Sequence, residues 1–352
     1  MKIDHIHFFV ENAAQTRDWL IQKMGFQSGG HQASEHTYTE LVGNSSVLFR
    51  VSSALSQSSP VAHYLATHPA GVANIAFLVD DLESLLARIN RLDIKIIEEY
   101  DRSIDHTEQL TIQGWGDFQH TLVTNSSNPM LAPIPPKQDN LNPIVDIDHV
   151  VLNVGQHQLA VASDWYQNLF DFQVQQSFDI QTGSSGLYSQ ALVDPTGQVQ
   201  FNINEPSSPN SQIQTFLDLQ GGAGIQHVAL RTTNIFQTVT AMRSQSLAFL
   251  PIPTSYYISL NKRSQRSNDL PLNYQEWQNL EKLEILLDWS TDHALALLMQ
   301  IFTQPIFAQP TFFFEIIERR GAAQGFGEGN FMALFQAIEQ EEQKKLILTG
   351  HQ

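Results

Sequence analysis

The sequence predicts an α+β protein of four strand–helix–strands modules, paired into two halves and followed by a C-terminal helix. Three observations carry this prediction. The run Ile3-Asp4-His5-Ile6-His7-Phe8-Phe9-Val10 returns as Ile147-Asp148-His149-Val150-Val151-Leu152-Asn153-Val154. A second run, Gly71-Val72-Ala73-Asn74-Ile75-Ala76-Phe77, returns as Gly224-Ile225-Gln226-His227-Val228-Ala229-Leu230. Between the halves lies a stretch rich in Pro, Asn and Ser, Thr124 to Pro143, the composition of a surface linker. Self-similarity of this kind sets the architecture before any single element is assigned.

Each element has its own local reason. The first member of each repeat is an apolar run of strand length. A helical stretch containing a Trp follows, Arg17-Asp18-Trp19-Leu20 in one copy and Ser163-Asp164-Trp165-Tyr166 in the other, and each ends at an aromatic turn, Met24-Gly25-Phe26 or Leu169-Phe170-Asp171-Phe172. After the second pair of runs, helices are expected from Asp81 to Asn90 and from Asn234 to Ser244. Phe331, Leu334, Phe335 and Ile338 recur at helical spacing, so 330–345 reads as a terminal helix. Gly325, Gly327 and Gly329 give the approach to it conformational freedom. The chain then divides into a first half, residues 1–124, a linker, 125–146, and a second half, 147–352.

Composition excludes several functions. At 352 residues the chain has room for two or three domains, and its 42% apolar fraction supports a sizeable core. A formal net charge of −17 argues against nucleic acid or an anionic membrane as partner. The chain has no cysteine, which removes disulfides, thiolate ligands and a cysteine nucleophile. The polar residues in Met1-Lys2-Ile3-Asp4-His5-Ile6-His7 interrupt any signal-peptide pattern, and no run approaches the roughly 20 apolar residues of a membrane span, so a cytoplasmic protein is expected.

The chemistry is concentrated in three residues. His149, His227 and Glu315 each sit inside an apolar strand-like run, the last in Phe312-Phe313-Phe314-Glu315-Ile316-Ile317. A carboxylate there is costly to bury without a compensating cation or donors. Two imidazoles and one carboxylate are also the ligand set that holds non-heme Fe(II) with positions left open. Strand alternation places Ile147, Val151 and Asn153 on the face of His149, Ile225 and Ala229 on that of His227, and Phe313 and Ile317 on that of Glu315. Taken singly, each residue has a plainer explanation: a lone strand His is usually structural, and Glu315 could pair with Arg319 or Arg320. The first half keeps His5 but has Asn74 where the second has His227, so the metal site is expected in the second half only.

The C-terminal run carries a resemblance. Gln300-Ile301-Phe302-Thr303, Pro310 to Arg319 and Gly325-Phe326-Gly327-Glu328-Gly329-Asn330-Phe331-Met332-Ala333-Leu334-Phe335, with Asn204-Glu205-Pro206 and Ser211-Gln212-Ile213, resemble the 4-hydroxyphenylpyruvate dioxygenase family. That family belongs to the vicinal oxygen chelate superfamily, whose βαβββ modules pair into open barrels. The resemblance implies Fe(II) held by His149, His227 and Glu315. It also implies conversion of 4-hydroxyphenylpyruvate and O2 to homogentisate and CO2, a step of tyrosine catabolism. The substrate's own 2-oxo acid chelates the iron. Position by position, it implies that Ser189, Asn204 and Gln212 orient the substrate or its phenol and that Gln300 lies close to the iron, sharing a strand face with Phe302. Phe313, Asn330, Phe331 and Phe335 line the aromatic side of the cavity or its lid, with Gln300 and Phe331 bearing on catalysis. The same resemblance implies that the terminal helix closes over the site and that the protein is a homo-oligomer.

Two departures keep other readings open. Asn202 stands where the family usually has Pro, and the family's Gly-Tyr is replaced within His293 to Met299. Hydroxymandelate synthase shares fold, iron and substrate but hydroxylates the benzylic carbon. Its members tend to carry an aliphatic residue at the position of Phe331, so Phe331 and Phe335 favour the dioxygenase and Asn202 the synthase. A non-catalytic small-molecule-binding protein of the same superfamily is the reading from another functional class, and it makes the metal dispensable.

Overall fold

The computed structural model describes residues 1–100, 109–124, 143–181, 185–264, 271–289, 296–321, 323–327, 329–330 and 333. The first half runs β1 (Lys2–Phe9), α1 (Ala13–Met24), β2 (Gln27–Ala33), β3 (Thr37–Gly43), β4 (Leu48–Ala54), α2 (Pro60–Leu65), β5 (Gly71–Leu78), α3 (Leu82–Arg91), β6 (Ile96–Tyr100), β7 (Gln109–Gln113) and β8 (Gln119–Val123). The second half runs β9 (Ile144–Asn153), α4 (Leu159–Phe170), β10 (Gln173–Gln181), β11 (Gly186–Val193), β12 (Gln200–Pro206), α5 (Gln212–Gln220), β13 (Gly224–Thr232), α6 (Ile235–Ser244), α7 (Thr254–Ser264), α8 (Tyr274–Leu283), β14 (Leu286–Trp289), β15 (Leu297–Phe302) and β16 (Phe313–Arg320).

The four-module reading is visible in the strand order. One eight-stranded sheet is ordered β2-β3-β4-β1-β5-β8-β7-β6, and the other β10-β11-β12-β9-β13-β16-β15-β14. The second is the first shifted by eight strands. In each, two modules meet where their first strands pair antiparallel, β1 with β5 and β9 with β13. The helices start where their caps say they should. Asn12, Asp81 and Asn234 each accept a backbone N–H from three residues on, which satisfies one of the donors left free at a helix start. Two helices, α7 and α8, interrupt the fourth module before β14 and were not foreseen from the sequence.

One apolar core joins the halves. Phe8 of β1 packs edge-to-face on Phe312 and Phe314, with ring centroids 5.1 and 6.2 Å apart. His120 of β8 is fully buried, stacks on Phe77 and Trp165, and meets the hydroxyl of Tyr166 at 3.0 Å. Among the described residues no helix is long and apolar enough to cross a membrane. The expected linker of 125–146 lies outside the described residues up to 142, and from Ile144 on it is part of β9; the expected terminal helix of 330–345 falls almost wholly outside the described residues.

Candidate metal centre and cavity

His149 comes from β9, His227 from β13 and Glu315 from β16, three adjacent strands of the second sheet. Register brings them level: Ala229 pairs with both His149 and Glu315, while His227 pairs with Val151 and Phe313. All three side chains are buried, and one donor atom from each lies within 4.8 Å of the others. Oε2 of Glu315 faces Nε2 of His149 at 3.2 Å and Nε2 of His227 at 3.5 Å.

The strand faces differ from simple alternation in one instructive way. β9 carries one extra residue between Ile147 and His149, and β13 one between Ile225 and His227. Such bulges put two successive residues on one side of the sheet. Gln226 and His227 accordingly both line the cavity, and Asp148 reaches the imidazole of its own neighbour. Ile147 and Ile225, expected beside the histidines, pack instead into the main core with Val228 and Leu230. Ala229 and Ile317 keep the cavity side, clustered with Leu298 and Ala323.

Partners fix each ligand's orientation. Nδ1 of His149 donates to Asp148 Oδ1 at 2.9 Å, which leaves Nε2 to point at Glu315. Arg319 clamps Asp148 through Nε at 2.8 Å and a second nitrogen at 2.7 Å, so this arginine serves Asp148 rather than Glu315. Gln300 Nε2 donates to Glu315 Oε1 at 2.9 Å, leaving Oε2 for the histidines. The ring of Phe313 stacks on His227 with centroids 4.8 Å apart, and Phe326 meets His149 edge-on at 5.3 Å.

The electrostatics ask for a cation. Burial pushes the His149 imidazole down, but Glu315 beside it and the hydrogen bond to Asp148 outweigh burial and raise it to about 9. Burial dominates at His227 and lowers it. Burial raises Glu315, but His149 and then His227 overcome it and hold the carboxyl at about 2. Arg319 balances Asp148, so the Glu315 charge is met either by a protonated His149 or, in its place, by a cation where the two Nε2 atoms converge. Nδ1 of His227 is buried without a hydrogen-bond partner among the described residues, while its Nε2 faces Glu315. Nitrogen and carboxylate donors in this arrangement fit Fe(II).

The triad opens onto a cavity of about 610 Å³ including its mouth. Ser189, Asn204, Gln212, Gln300 and Phe302 line it, as does Asn202, whose Oδ1 is buried with no hydrogen-bond partner among the described residues. Phe313 stands behind His227 rather than on the wall, and Asn330 reaches the site through Gln300, donating Nδ2 to its Oε1 at 2.8 Å. Phe331 and Phe335 lie outside the described residues. Sequence reading missed Asp148, Phe326 and the role of Arg319. The repeated Asp-His pairs, Asp4-His5 and Asp148-His149, were a usable signal for the first of these.

Comparison with known proteins agrees with this geometry. Residues 2–110 and 146–262 match the Glyoxalase/Bleomycin resistance protein/Dioxygenase superfamily. An uncharacterized protein of Synechocystis sp. is 38% identical over 98% of this chain and 99% of its own. The 4-hydroxyphenylpyruvate dioxygenase of Yarrowia lipolytica is 34% identical over 97% of this chain and 92% of its own. Among solved structures, a triple mutant of 4-hydroxymandelate synthase from Streptomyces coelicolor superposes with a TM-score of 0.82 at 24% identity, covering 97% of this chain and 98% of that one, and so shares the fold. The chain belongs to the Glyoxalase/Bleomycin resistance protein/Dioxygenase superfamily and, within it, to the 4-hydroxyphenylpyruvate dioxygenase family.

Proposed function

We propose that this chain is an Fe(II)-dependent dioxygenase that converts 4-hydroxyphenylpyruvate and O2 to homogentisate and CO2, with His149, His227 and Glu315 holding the iron. The observation that carries the reading is the convergence of three buried ligand groups from three adjacent strands at one end of a lined cavity. The full-length likeness to enzymes of that name supports it. Bound Fe(II) supplies a Lewis-acidic centre for the substrate's 2-oxo acid and a further position for oxygen. The protein's own groups do the positioning. Asp148 and Arg319 hold His149, Gln300 holds Glu315, and Phe313 and Phe326 keep the imidazoles in a dry setting. Ser189, Asn204 and Gln212 present hydrogen-bonding groups to the substrate or its phenol, and Phe302 an apolar wall. Phe331 and Phe335 bear on the aromatic side of the cavity in this reading, and a cytoplasmic homo-oligomer is part of the same proposal.

The test is aerobic incubation of Fe(II)-loaded protein with 4-hydroxyphenylpyruvate, followed by product identification. Homogentisate is expected. 4-Hydroxymandelate would favour the synthase reading, for which the polar Asn202 in the cavity wall is the specific observation. Oxygen uptake that requires 4-hydroxyphenylpyruvate and is abolished by chelation would exclude a non-catalytic binding protein.

A further inference from the structure

A directed chain of hydrogen bonds leads away from Glu315 to helix α7. Gln300 Nε2 donates to Glu315 Oε1 at 2.9 Å and to the Phe326 carbonyl at 3.0 Å. With both acceptors on its nitrogen side, Gln300 turns Oε1 outward, where it accepts from Asn330 Nδ2 at 2.8 Å. Asn330 then presents Oδ1 to the hydroxyl of Tyr256, at 2.8 Å. That hydroxyl accepts the N–H of Leu287 at 2.8 Å, and its single proton is closer to Asn330 than to the Leu287 carbonyl, whose oxygen is 3.1 Å away. Leu287 belongs to β14, the edge strand of the sheet, so Tyr256 covers backbone groups that no further strand pairs. Every donor in the series points toward Glu315, and reversing either amide would set carbonyl against carbonyl.

The backbone around Asn330 is built for this close approach. Gly327 has φ +76°, and a Cβ there would fall 2.0 Å from Gln300 Oε1. At Gly329 a Cβ would fall 2.6 Å from Asp288 Oδ1, and the Gly329 N–H donates to Asp288 Oδ2 at 2.9 Å. Arg263 of α7 holds the other oxygen of Asp288 at 2.7 Å. Helix α7 and strand β14 thus seat Asn330 at two points.

We infer that Tyr256 is a positioning residue for the metal carboxylate: through Asn330 and Gln300 it fixes which oxygen of Glu315 is presented to His149 and His227. This rests on the reading of Glu315 as a metal ligand. Outer partners of metal ligands typically change affinity or activity 10–100-fold. Tyr256 acts through two intervening amides, so Tyr256→Phe should weaken Co(II) binding by about 3- to 10-fold, a discounted form of that effect.

The experiment titrates the full-length protein with Co(II), reading both affinity and the visible ligand-field spectrum. Tyr256→Phe keeps the ring but removes the hydroxyl, and is expected to weaken binding and shift the spectrum. Asn330→Asp leaves α7 intact but sets a carboxylate against Gln300 Oε1, and is expected to do at least as much. In an Asn330→Ala background, Tyr256→Phe should have no further effect on affinity, because the chain is already cut. Equal losses in both backgrounds, or a Tyr256→Phe protein with unchanged Co(II) affinity and spectrum, would overturn the inference while leaving the metal site standing. Failure of the wild-type protein to bind Co(II) would overturn the metal reading and this inference together.

Discussion

The two halves of the chain carry the same Asp–His pair on the same bulged strand and do different things with it. In the second half, Asp148 holds His149 at 2.9 Å, and His227 and Glu315 complete a charged cluster. In the first, Asp4 holds His5 at 2.7 Å across an equivalent bulge in β1. There, by strand register, Asn74 stands for His227 and Thr121 for Glu315. Asn74 Nδ2 donates to Thr121 Oγ1 at 2.8 Å, and Thr121 shares a 3.0 Å bond with Thr111. Neutral groups hydrogen-bond one another there, with only Asn74 Oδ1 of this set lacking a partner among the described residues, where the second half buries a carboxylate. The strand order is the same in both, so the fold asks for no ion. The second half keeps a costly buried charge because that charge has work to do.

The largest expected difference between the halves comes from cutting the carboxylate. Glu315→Gln retains the shape of the side chain, and should lose Fe(II) binding and reduce homogentisate formation to background. Its mirror, Thr121→Val, should leave turnover unchanged and cost about 1 kcal/mol for lost buried hydrogen bonding. Chemical denaturation and a turnover assay on both variants check the pair. If Glu315→Gln kept full activity, the asymmetry drawn here would be wrong.

The Asp–His pairs give the next contrast. Asp148→Asn should lower metal affinity about 10–100-fold, since it loosens the imidazole and disturbs its tautomer. It also removes the carboxylate that Arg319 clamps and leaves the guanidinium its carbonyl contacts to Ala323 and Gly325, which should cost on the order of 3–5 kcal/mol of stability. Asp4→Asn should leave metal affinity untouched. Measuring Co(II) affinity for both variants in one buffer separates a supporting carboxylate from a merely inherited one.

Gly327→Ala probes how closely the C-terminal segment must lie on Gln300. The left-handed backbone at Gly327 alone should cost about 1–2 kcal/mol with any Cβ. The clash with Gln300 should also displace the Glu315 hydrogen bond, lowering kcat/KM more than stability alone accounts for. The first half offers no counterpart among the described residues, so the effect belongs to the site.

The contrast farthest from the metal site concerns the seam between the halves. Burial lowers the imidazole of His120 to about 3, against the weaker opposing effect of the hydrogen bond that its Nδ1 donates to the Ile75 carbonyl. The native state therefore holds His120 neutral, while the unfolded chain protonates it near its ordinary value. Its contribution is fully present above about pH 6.5 and is lost as the pH falls toward 3, by up to about 1.4 kcal/mol per unit. Denaturation curves at pH 7 and pH 4 should show a steeper acid loss for the wild-type protein than for His120→Gln.

Much of this was legible in the sequence, for physical reasons. A buried carboxylate between Phe314 and Ile316 is anomalous in any strand, and two strand histidines in repeat-equivalent runs gave it partners. The repeat itself yielded the module count and the metal-free half, because Asn74 broke the pattern where His227 kept it. The bulges were not legible: an extra residue leaves the composition of a strand unchanged, so Ile147 and Ile225 were assigned to the wrong face. Helices α7 and α8 were missed because they belong to no repeat. Tyr256 was invisible for that reason, and its place beside Asn330 is set by tertiary packing across 74 positions of sequence.

Anaerobic titration with Fe(II), scored as ions bound per chain, tests the central claim most directly. The account predicts one ion per chain, lost in His149→Ala, His227→Ala and Glu315→Gln and retained in His5→Ala and Asn74→Ala. Two ions per chain, or one ion that survives Glu315→Gln but not His5→Ala, would contradict it.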